Sequence, residues 1–250
     1  MEKVKKVLDR IFIEGLSAMA QGLFATLIIG TIIQQIGSFI PGQAGTILFI
    51  IGKVAASLTG AGIGVAVAYK FNESPLVVVS AATAGMTGAF ASKLLAGTVL
   101  VDGAMVYSGP GEPLGAFLAA YVGIYFGHLV SGKTKVDILV TPIISIGTGS
   151  AVGLILGPPI SGFMVWLGSV INWGTEQQPF LMGIIVSVLM GMILTLPISS
   201  AALGIILNLS GLAAGAATIG CCCNMVGFAV ASYRENKIGG LLAQGIGTSM

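Results

Sequence analysis

Neutral polar residues are scattered through a largely apolar, glycine-rich stretch in the last quarter of the chain. The candidates with hydrogen-bonding side chains are Thr195, Ser199, Ser200, Asn208 and Asn224. Hydroxyl and amide groups offer donors and acceptors without a charge. A cavity lined by such groups suits a neutral solute with several hydroxyls, such as a sugar or a polyol. We therefore predict a binding site for a small polar solute among these residues.

One acidic residue stands close to this stretch. Between residues 138 and 233, Glu176 is the only Asp, Glu, Lys or Arg. We interpret it in two ways: as an ordinary acid of a solvated loop, or as a substrate-binding acid that meets a hydroxyl or an ammonium group. We keep Glu176 as a sixth candidate for substrate binding. We predict no metal site, because the consecutive cysteines at 221–223 lack metal-ligand spacing and no histidine cluster accompanies them. We also predict no catalytic residue and no cofactor.

The composition decides which elements must position these residues. The 250 residues are 55% hydrophobic and only 8% charged, whereas an average soluble domain is about 25% charged. Long apolar runs with few charges are typical of membrane-spanning helices. We predict an all-α, polytopic helical membrane protein whose partner is the lipid bilayer. The net charge of +2 gives no reason to expect nucleic acid as a partner.

The apolar runs suffice for seven or eight membrane segments in one domain covering residues 1–250. Residues 1–14 alternate apolar and charged faces and predict an interfacial amphipathic helix. The spans are predicted at about 16–40, 45–69, 75–100, 114–131 and 138–168, followed by an apolar stretch at 180–232 and a last segment from 238.

The positions of the basic residues predict the orientation of the chain. Lys70, the loop with Lys133 and Lys135, and the loop with Arg234 should be cytoplasmic, with the N-terminus on the same side. The loops at about 102–112 and 169–179 should then be external. The stretch at 180–232 must begin outside and finish inside. We therefore predict a re-entrant hairpin between about 198 and 224, where irregular backbone would line a polar cavity.

Small residues predict where helices meet. Gly149, Gly153 and Gly157 repeat every four residues in the fifth span, and Gly123 and Gly127 do so in the fourth. Such spacing favours close helix crossing. The run that begins at Gly147 superficially resembles a dinucleotide loop, but neither the strand nor the acid that such a loop requires is present.

Four further charged or titratable residues have two interpretations each. His128 is either an interfacial histidine with a wet edge or a proton-handling group in a cavity. Lys53 and Lys93 either extend their side chains to the membrane surface or face a polar interior. Glu112 is either a solvated loop residue or a group that binds substrate.

The segment from 142 to 203 resembles the fructose-type membrane component (IIC) of bacterial phosphotransferase systems. The motifs are Leu156-Gly-Pro-Pro159, an Asn172-Trp pair, Leu181-Met-Gly183, Met190-Gly-Met192 and the run from Leu196 to Leu203. Gly111-Glu-Pro-Leu-Gly-Ala-Phe-Leu118 is similar to the segment that opens the preceding helix. Nearly the whole chain resembles a divergent IIC-like branch that includes perfringolysin O regulators, most specifically at residues 221–236 and 245–250.

The resemblance implies a homodimeric permease of the bacterial inner membrane. It would bind a sugar, move it inward and present it to a partner IIB protein, which receives its phosphoryl group through IIA. Two family motifs are missing. An Asp-x-Gly-Gly-Pro-x-Asn-Lys motif is replaced by the run from Leu196 to Ala201, and a Gly-Ile-Thr-Glu motif by Gly247-Thr-Ser-Met250. No charged site residue is carried over, and we expect a chain that ends short of the family's full pattern.

Three functions are therefore open at this point. The first is the permease component of a sugar phosphotransferase system, itself carrying no phosphoryl-accepting residue. The second is a non-transporting membrane sensor or regulator on the same scaffold, which the two missing acidic motifs favour. The third is a proton-coupled secondary transporter that would use Glu176 and His128.

Overall fold

The computed structural model describes residues 10–101, 103–107, 109–195 and 209–245, together with Gly204 and Leu207. Its elements are almost all helical. They are α1 (Arg10–Phe39), α2 (Gln43–Ser57), α3 (Thr59–Lys70), α4 (Pro75–Ala89), α5 (Ala91–Leu95), β1 (Leu100–Val101), β2 (Ala104–Met105), α6 (Pro113–Val130), α7 (Asp137–Gln177), α8 (Pro179–Ile193) and α9 (Gly211–Gly245). The two short strands pair antiparallel.

Four helices of the described chain are long and apolar enough to cross a membrane: α1, α6, α7 and the part of α9 from Gly211 to Leu242. The pair α2 and α3 also passes this test, although it bends by 54° between Ser57 and Thr59. Two shorter apolar helices, α4 and α8, accompany them. The prediction of a polytopic, all-α membrane protein is confirmed. The described helices include four or five that could span a membrane. The predicted total of seven or eight membrane segments stays a prediction.

The chain divides into two compact units, Met1–Gly162 and Phe163–Met250. In the first unit, α1 packs against α2 and α3, while α3 and α6 both pack against α4. In the second unit, α8 packs against α9. Val186, Met190 and Ala217 form the buried centre of that second contact. The prediction of a single domain over residues 1–250 stays a prediction.

Glycines make the helix contacts of the first unit close. A Cβ atom added to Gly149 would lie 2.6 Å from the Ala119 carbonyl oxygen and 2.7 Å from Ala84 Cβ. A Cβ atom added to Gly123 would lie 2.7 Å from the Ser145 carbonyl oxygen. The predicted glycine ladders of the fourth and fifth spans therefore do lie at helix crossings.

Helix α1 contains two stretches of π-helix, Arg10–Gly15 and Phe24–Ile28. Such turns use an i→i+5 hydrogen bond and are wider than α-helical turns. Four buried glycines of this helix each lie against a neighbouring helix. They are Gly15 against Phe117, Gly22 against Gly62, Gly30 against Gly52, and Gly37 against Gly45.

Several predicted boundaries are wrong. The third span, predicted to reach about residue 100, ends at Ala89, whose carbonyl accepts the Glu112 N–H at 2.8 Å. The external loop predicted at 169–179 is instead the last part of α7, which continues to Gln177. Polar side chains such as Asn172 do not stop a helix. The helix stops where Gln178 leaves helical geometry, at φ −134° and ψ 71°, directly before Pro179.

The predicted re-entrant hairpin falls only partly within the described residues. Its second half, from Gly211 to about residue 224, is the beginning of α9, which consists of two helices joined at a kink at Lys237 (φ 51°, ψ −142°). Residues 196–203 lie outside the described residues, so the hairpin stays a prediction. The predicted amphipathic helix at 1–14 is likewise described only from Arg10 onward, where it is continuous with α1.

Candidate functional site

A cavity of about 180 Å³ lies in the second unit, beside the end of α8 and the middle of α9. It is lined by Leu194, Thr195, Asn224, Met225, Phe228 and Gln244. None of these side chains is ionisable. Three of them carry neutral hydrogen-bonding groups, and the other three are apolar. The cavity thus combines a few neutral polar groups with an apolar wall, as small-molecule sites do.

Asn224 reaches this cavity because α8 and α9 approach closely one turn earlier. A Cβ atom on Gly220 would lie 2.0 Å from the Ser187 carbonyl oxygen, so only glycine permits this approach. The Ser187 hydroxyl donates across the same contact to the Ala216 carbonyl at 2.6 Å. The Asn224 side-chain amide then donates to the Gly191 carbonyl. This bond holds the Asn224 side chain between the two helices and leaves Oδ1 as its remaining acceptor.

Thr195 lies directly after α8, and its hydroxyl donates to the Met192 carbonyl at 2.7 Å. Because that bond uses the hydroxyl proton, the oxygen lone pairs are the groups it can offer to a solute. Gln244 lies beyond the kink at Lys237 in α9 and offers an amide with both a donor and an acceptor. Thr195, Asn224 and Gln244 together can therefore donate to and accept from a neutral hydroxylated molecule.

The structure brings together two of the six predicted substrate-binding residues, Thr195 and Asn224. Glu176 lies on α7 with an exposed side chain and does not line this cavity. Ser199, Ser200 and Asn208 lie outside the described residues. Sequence reasoning missed Gln244, although a glutamine within an otherwise apolar final segment is a signal that could have identified it.

A second polar cluster lies in the first unit. The Glu73 carboxylate, whose side chain is only 4% exposed, lies 2.9 Å from His128 Nδ1 and 3.7 Å from Arg10. The Arg10 guanidinium also lies 4.5 Å from the centre of the Phe71 ring. The cluster therefore joins the start of α1, the turn between α3 and α4, and the end of α6. No acid partner of His128 was predicted from the sequence.

Glu112 caps α6 rather than lying free in a loop. Its carboxylate accepts the N–H groups of Leu114, at 3.1 Å, and of Gly115. Burial raises the pKa of the Glu112 carboxyl above its ordinary value, while these backbone hydrogen bonds act in the opposite direction. Helix capping thus explains this acid without a substrate.

The two lysines within apolar stretches have different surroundings. Lys93 lies on the short helix α5, with its ammonium 5.6 Å from the centre of the Phe90 ring. Lys53 is exposed on α2. Neither residue lines the cavity of the second unit.

Long apolar helices, with a neutral polar cavity beside α8 and α9, define a multi-pass membrane protein that can hold a small solute. The comparison with known families is specific. Residues 13–250 match the family described as Phosphotransferase system, EIIC, and the chain belongs to it. It is therefore a membrane sugar permease component of a phosphotransferase system. No curated protein and no solved structure matches this chain.

Proposed function

We propose that the cavity of the second unit is the solute site of this permease component and that it takes a neutral sugar or polyol. The observation that carries the proposal is the meeting of Thr195, Asn224 and Gln244 around a space without ionisable side chains. A volume of about 180 Å³ lies below the roughly 300–1,000 Å³ of sites for larger ligands. It therefore favours a solute of monosaccharide size.

The apolar lining residues support the same solute class. Leu194, Met225 and Phe228 present apolar surface, which suits the C–H faces of a sugar ring. The polar groups can then bind hydroxyls at its edge. A charged solute would find no countercharge among the lining residues, so a sugar phosphate should bind more weakly than the free sugar.

The phosphoryl group would come from a partner, in keeping with the EIIC family. We propose that a IIB protein, supplied by IIA, phosphorylates the solute at the cytoplasmic face, and that this chain acts as a homodimer. We also propose an N-terminus in the cytoplasm of a bacterial cell, on the side of Lys70, Lys133 and Lys135.

Thermal stability of the purified protein in detergent, measured against sugars, polyols and their phosphates, tests the site. A ligand that binds only the folded state raises the apparent stability by mass action. Asn224→Ala and Gln244→Ala should reduce the shift given by the best sugar. Asn224→Ala also removes the bond to Gly191, whereas no described residue is hydrogen-bonded to the Gln244 side chain, which makes Gln244→Ala the cleaner variant.

Matched controls lie on the same helix. Asn236 donates to the Ser232 hydroxyl at 3.0 Å and Thr218 to the Ala214 carbonyl at 2.9 Å, both outside the cavity. Asn236→Ala and Thr218→Ala should leave the sugar-dependent shift unchanged. Equal losses in cavity and control variants, or no shift with any sugar, would contradict the proposed site.

A sensor that does not transport is the alternative, favoured by the two missing acidic motifs of the fructose type. The two functions differ in solute flux. Purified protein in liposomes, with a matching IIB protein supplied in its phosphorylated form, should accumulate sugar phosphate if it is a permease. Selective sugar binding without flux would favour the sensor.

A further inference from the structure

A cavity of about 810 Å³ lies in the first unit between α1 and α3, remote in sequence from the proposed sugar site. Glu14 and Gln21 line it from α1. Tyr69 and Lys70 line it from the end of α3, followed by Asn72. Its volume is within the usual range for ligand sites. Nothing in the proposed sugar transport uses it.

The floor of this groove is backbone. A Cβ atom on Gly22 would lie 2.5 Å from the Gly62 carbonyl oxygen, and one on Gly62 would lie 2.5 Å from Thr26 Cγ2. The helices therefore touch at the two glycines, and the space lies beside that contact. The Thr26 hydroxyl donates to the Gly22 carbonyl at 2.7 Å, so this polar group is already satisfied.

Charge lies at one end of the groove and apolar surface further in. Glu14 and Lys70 are both exposed, and neither forms an ion pair with any residue that the structure describes. Gln21 lies seven residues beyond Glu14, about 10 Å along the helix. Ala25, Val65 and Ala66 form the deeper walls, with Ala25 and Val65 exposed.

This arrangement, charged at one end and apolar further along, suits a phospholipid. Because α1 is long and apolar enough to cross the membrane, we expect exposed Ala25 and Val65 at the depth of the hydrocarbon. We expect Glu14 and Lys70, near the ends of their helices, at the depth of the headgroups. Basic groups between membrane helices are known to bind lipid headgroups. Here Glu14 lines the groove together with Lys70. A headgroup with only negative charge would bind Lys70 but would be repelled by Glu14.

We propose that the groove between α1 and α3 binds a zwitterionic phospholipid with a primary ammonium group, phosphatidylethanolamine. The ammonium donates to Glu14, and the phosphate accepts from Lys70 and the Asn72 amide. The Gln21 amide donates to a glycerol ester carbonyl, and the acyl chain follows Ala25 and Val65. A choline headgroup carries no N–H donor, and the anionic glycerol headgroup of phosphatidylglycerol carries no cation, so both fit this pair of charges less well.

Native mass spectrometry of the full chain from detergent, titrated with defined lipids, tests the proposal. We expect phosphatidylethanolamine to bind about threefold more tightly than phosphatidylcholine or phosphatidylglycerol, since exposed charge pairs contribute modestly. Glu14→Gln should remove the preference for ethanolamine over choline. Lys70→Gln should lower the affinity for all three lipids by about two- to fivefold. Lys135→Gln, which removes the same charge outside the groove, should change none of these values.

Equal binding of the three lipids by the unaltered protein would overturn the proposal, and this comparison needs no variant that must fold. Loss of affinity in Lys135→Gln equal to that in Lys70→Gln would also overturn it. So would binding of phosphoethanolamine without acyl chains as tight as that of the lipid, because the groove would then be a site for polar solutes. Dimers that exclude lipid from the groove would assign it instead to a second copy of the chain.

Discussion

His128 Nδ1 lies 2.9 Å from a carboxylate oxygen of Glu73, 55 residues away in the sequence. The His128 side chain is 65% exposed, whereas that of Glu73 is 4% exposed. Solvent can therefore replace the hydrogen bond of His128 but not that of the buried Glu73 carboxylate. A buried charge that loses a hydrogen-bonding partner costs more free energy than an exposed one.

His128→Ala should therefore lower the free energy of unfolding by about 1–3 kcal/mol. Glu73→Gln should cost less, because an amide oxygen can still accept from the ring N–H and no charge stays buried. The double variant should be less unstable than the sum of the two single variants. Thermal denaturation in detergent measures these differences, with the exposed Glu235→Gln as a control. A larger loss in Glu73→Gln than in His128→Ala would contradict this account.

The buried cap of α6 predicts a dependence of stability on pH. Because burial raises the Glu112 pKa in the folded state, the folded protein holds that proton more tightly than the unfolded chain. The contribution is complete below the unfolded pKa of about 4.3 and is lost as the pH rises through the higher folded value. Glu112→Gln should remove this part of the pH dependence.

The measurement is the melting temperature of both proteins between about pH 4 and pH 8, a window that begins near the unfolded glutamate pKa. The unaltered protein should lose stability relative to Glu112→Gln as the pH rises. A difference that grows in the opposite direction would show that the backbone hydrogen bonds outweigh burial.

Two glycines on α7 form a matched pair for testing the helix crossing of the first unit. Gly149 lies against Ala119 and Ala84, whereas a Cβ atom on Gly147 would meet nothing within 4 Å. Gly149→Ala should destabilise the protein by about 1–3 kcal/mol through overpacking. Gly147→Ala should be neutral or stabilising by up to about 1 kcal/mol, since alanine favours helix. Equal melting temperatures for the two variants would contradict the crossing.

A similar pair on α9 connects packing to the proposed sugar site. Gly220 touches the Ser187 backbone, and Gly215 has open space around its Cα. Gly220→Ala should push α9 away from α8, displace Asn224 from Gly191 and weaken sugar binding. Gly215→Ala should leave binding unchanged. Sugar-dependent stabilisation compares them, and undiminished binding in Gly220→Ala would separate the site from this contact.

Local signals predicted much of the helical frame. The first helix ends at Phe39, just before the Pro41-Gly42 pair, and α4 and α6 begin at Pro75 and Pro113, where proline suits a first helical turn. The bend between α2 and α3 was not predicted, because its surrounding residues form one continuous apolar run. A break of this kind depends on tertiary contacts, which periodicity does not report.

The candidate site was predictable only in its chemistry. Thr195 and Asn224 stood out because neutral polar groups are rare in an apolar stretch, and both line the cavity. Gln244 joins them from beyond the kink in α9. Glu73, in the turn between α3 and α4, contacts His128 near the end of α6. Such pairings arise from the packing of distant segments and leave no spacing in the sequence.

The π-helical turns of α1 change which of its residues face the neighbouring helices. Its four contact glycines are separated by seven, eight and seven residues. In an ideal α-helix a separation of eight turns the side chain about 80° off the contact face, whereas seven leaves it only about 20° off. The wide turn at Phe24–Ile28 lies within the longer interval and absorbs the surplus residue. Deleting one residue there should restore a regular helix with all four contacts, whereas a deletion between Gly30 and Gly37 should rotate Gly37 away from α2.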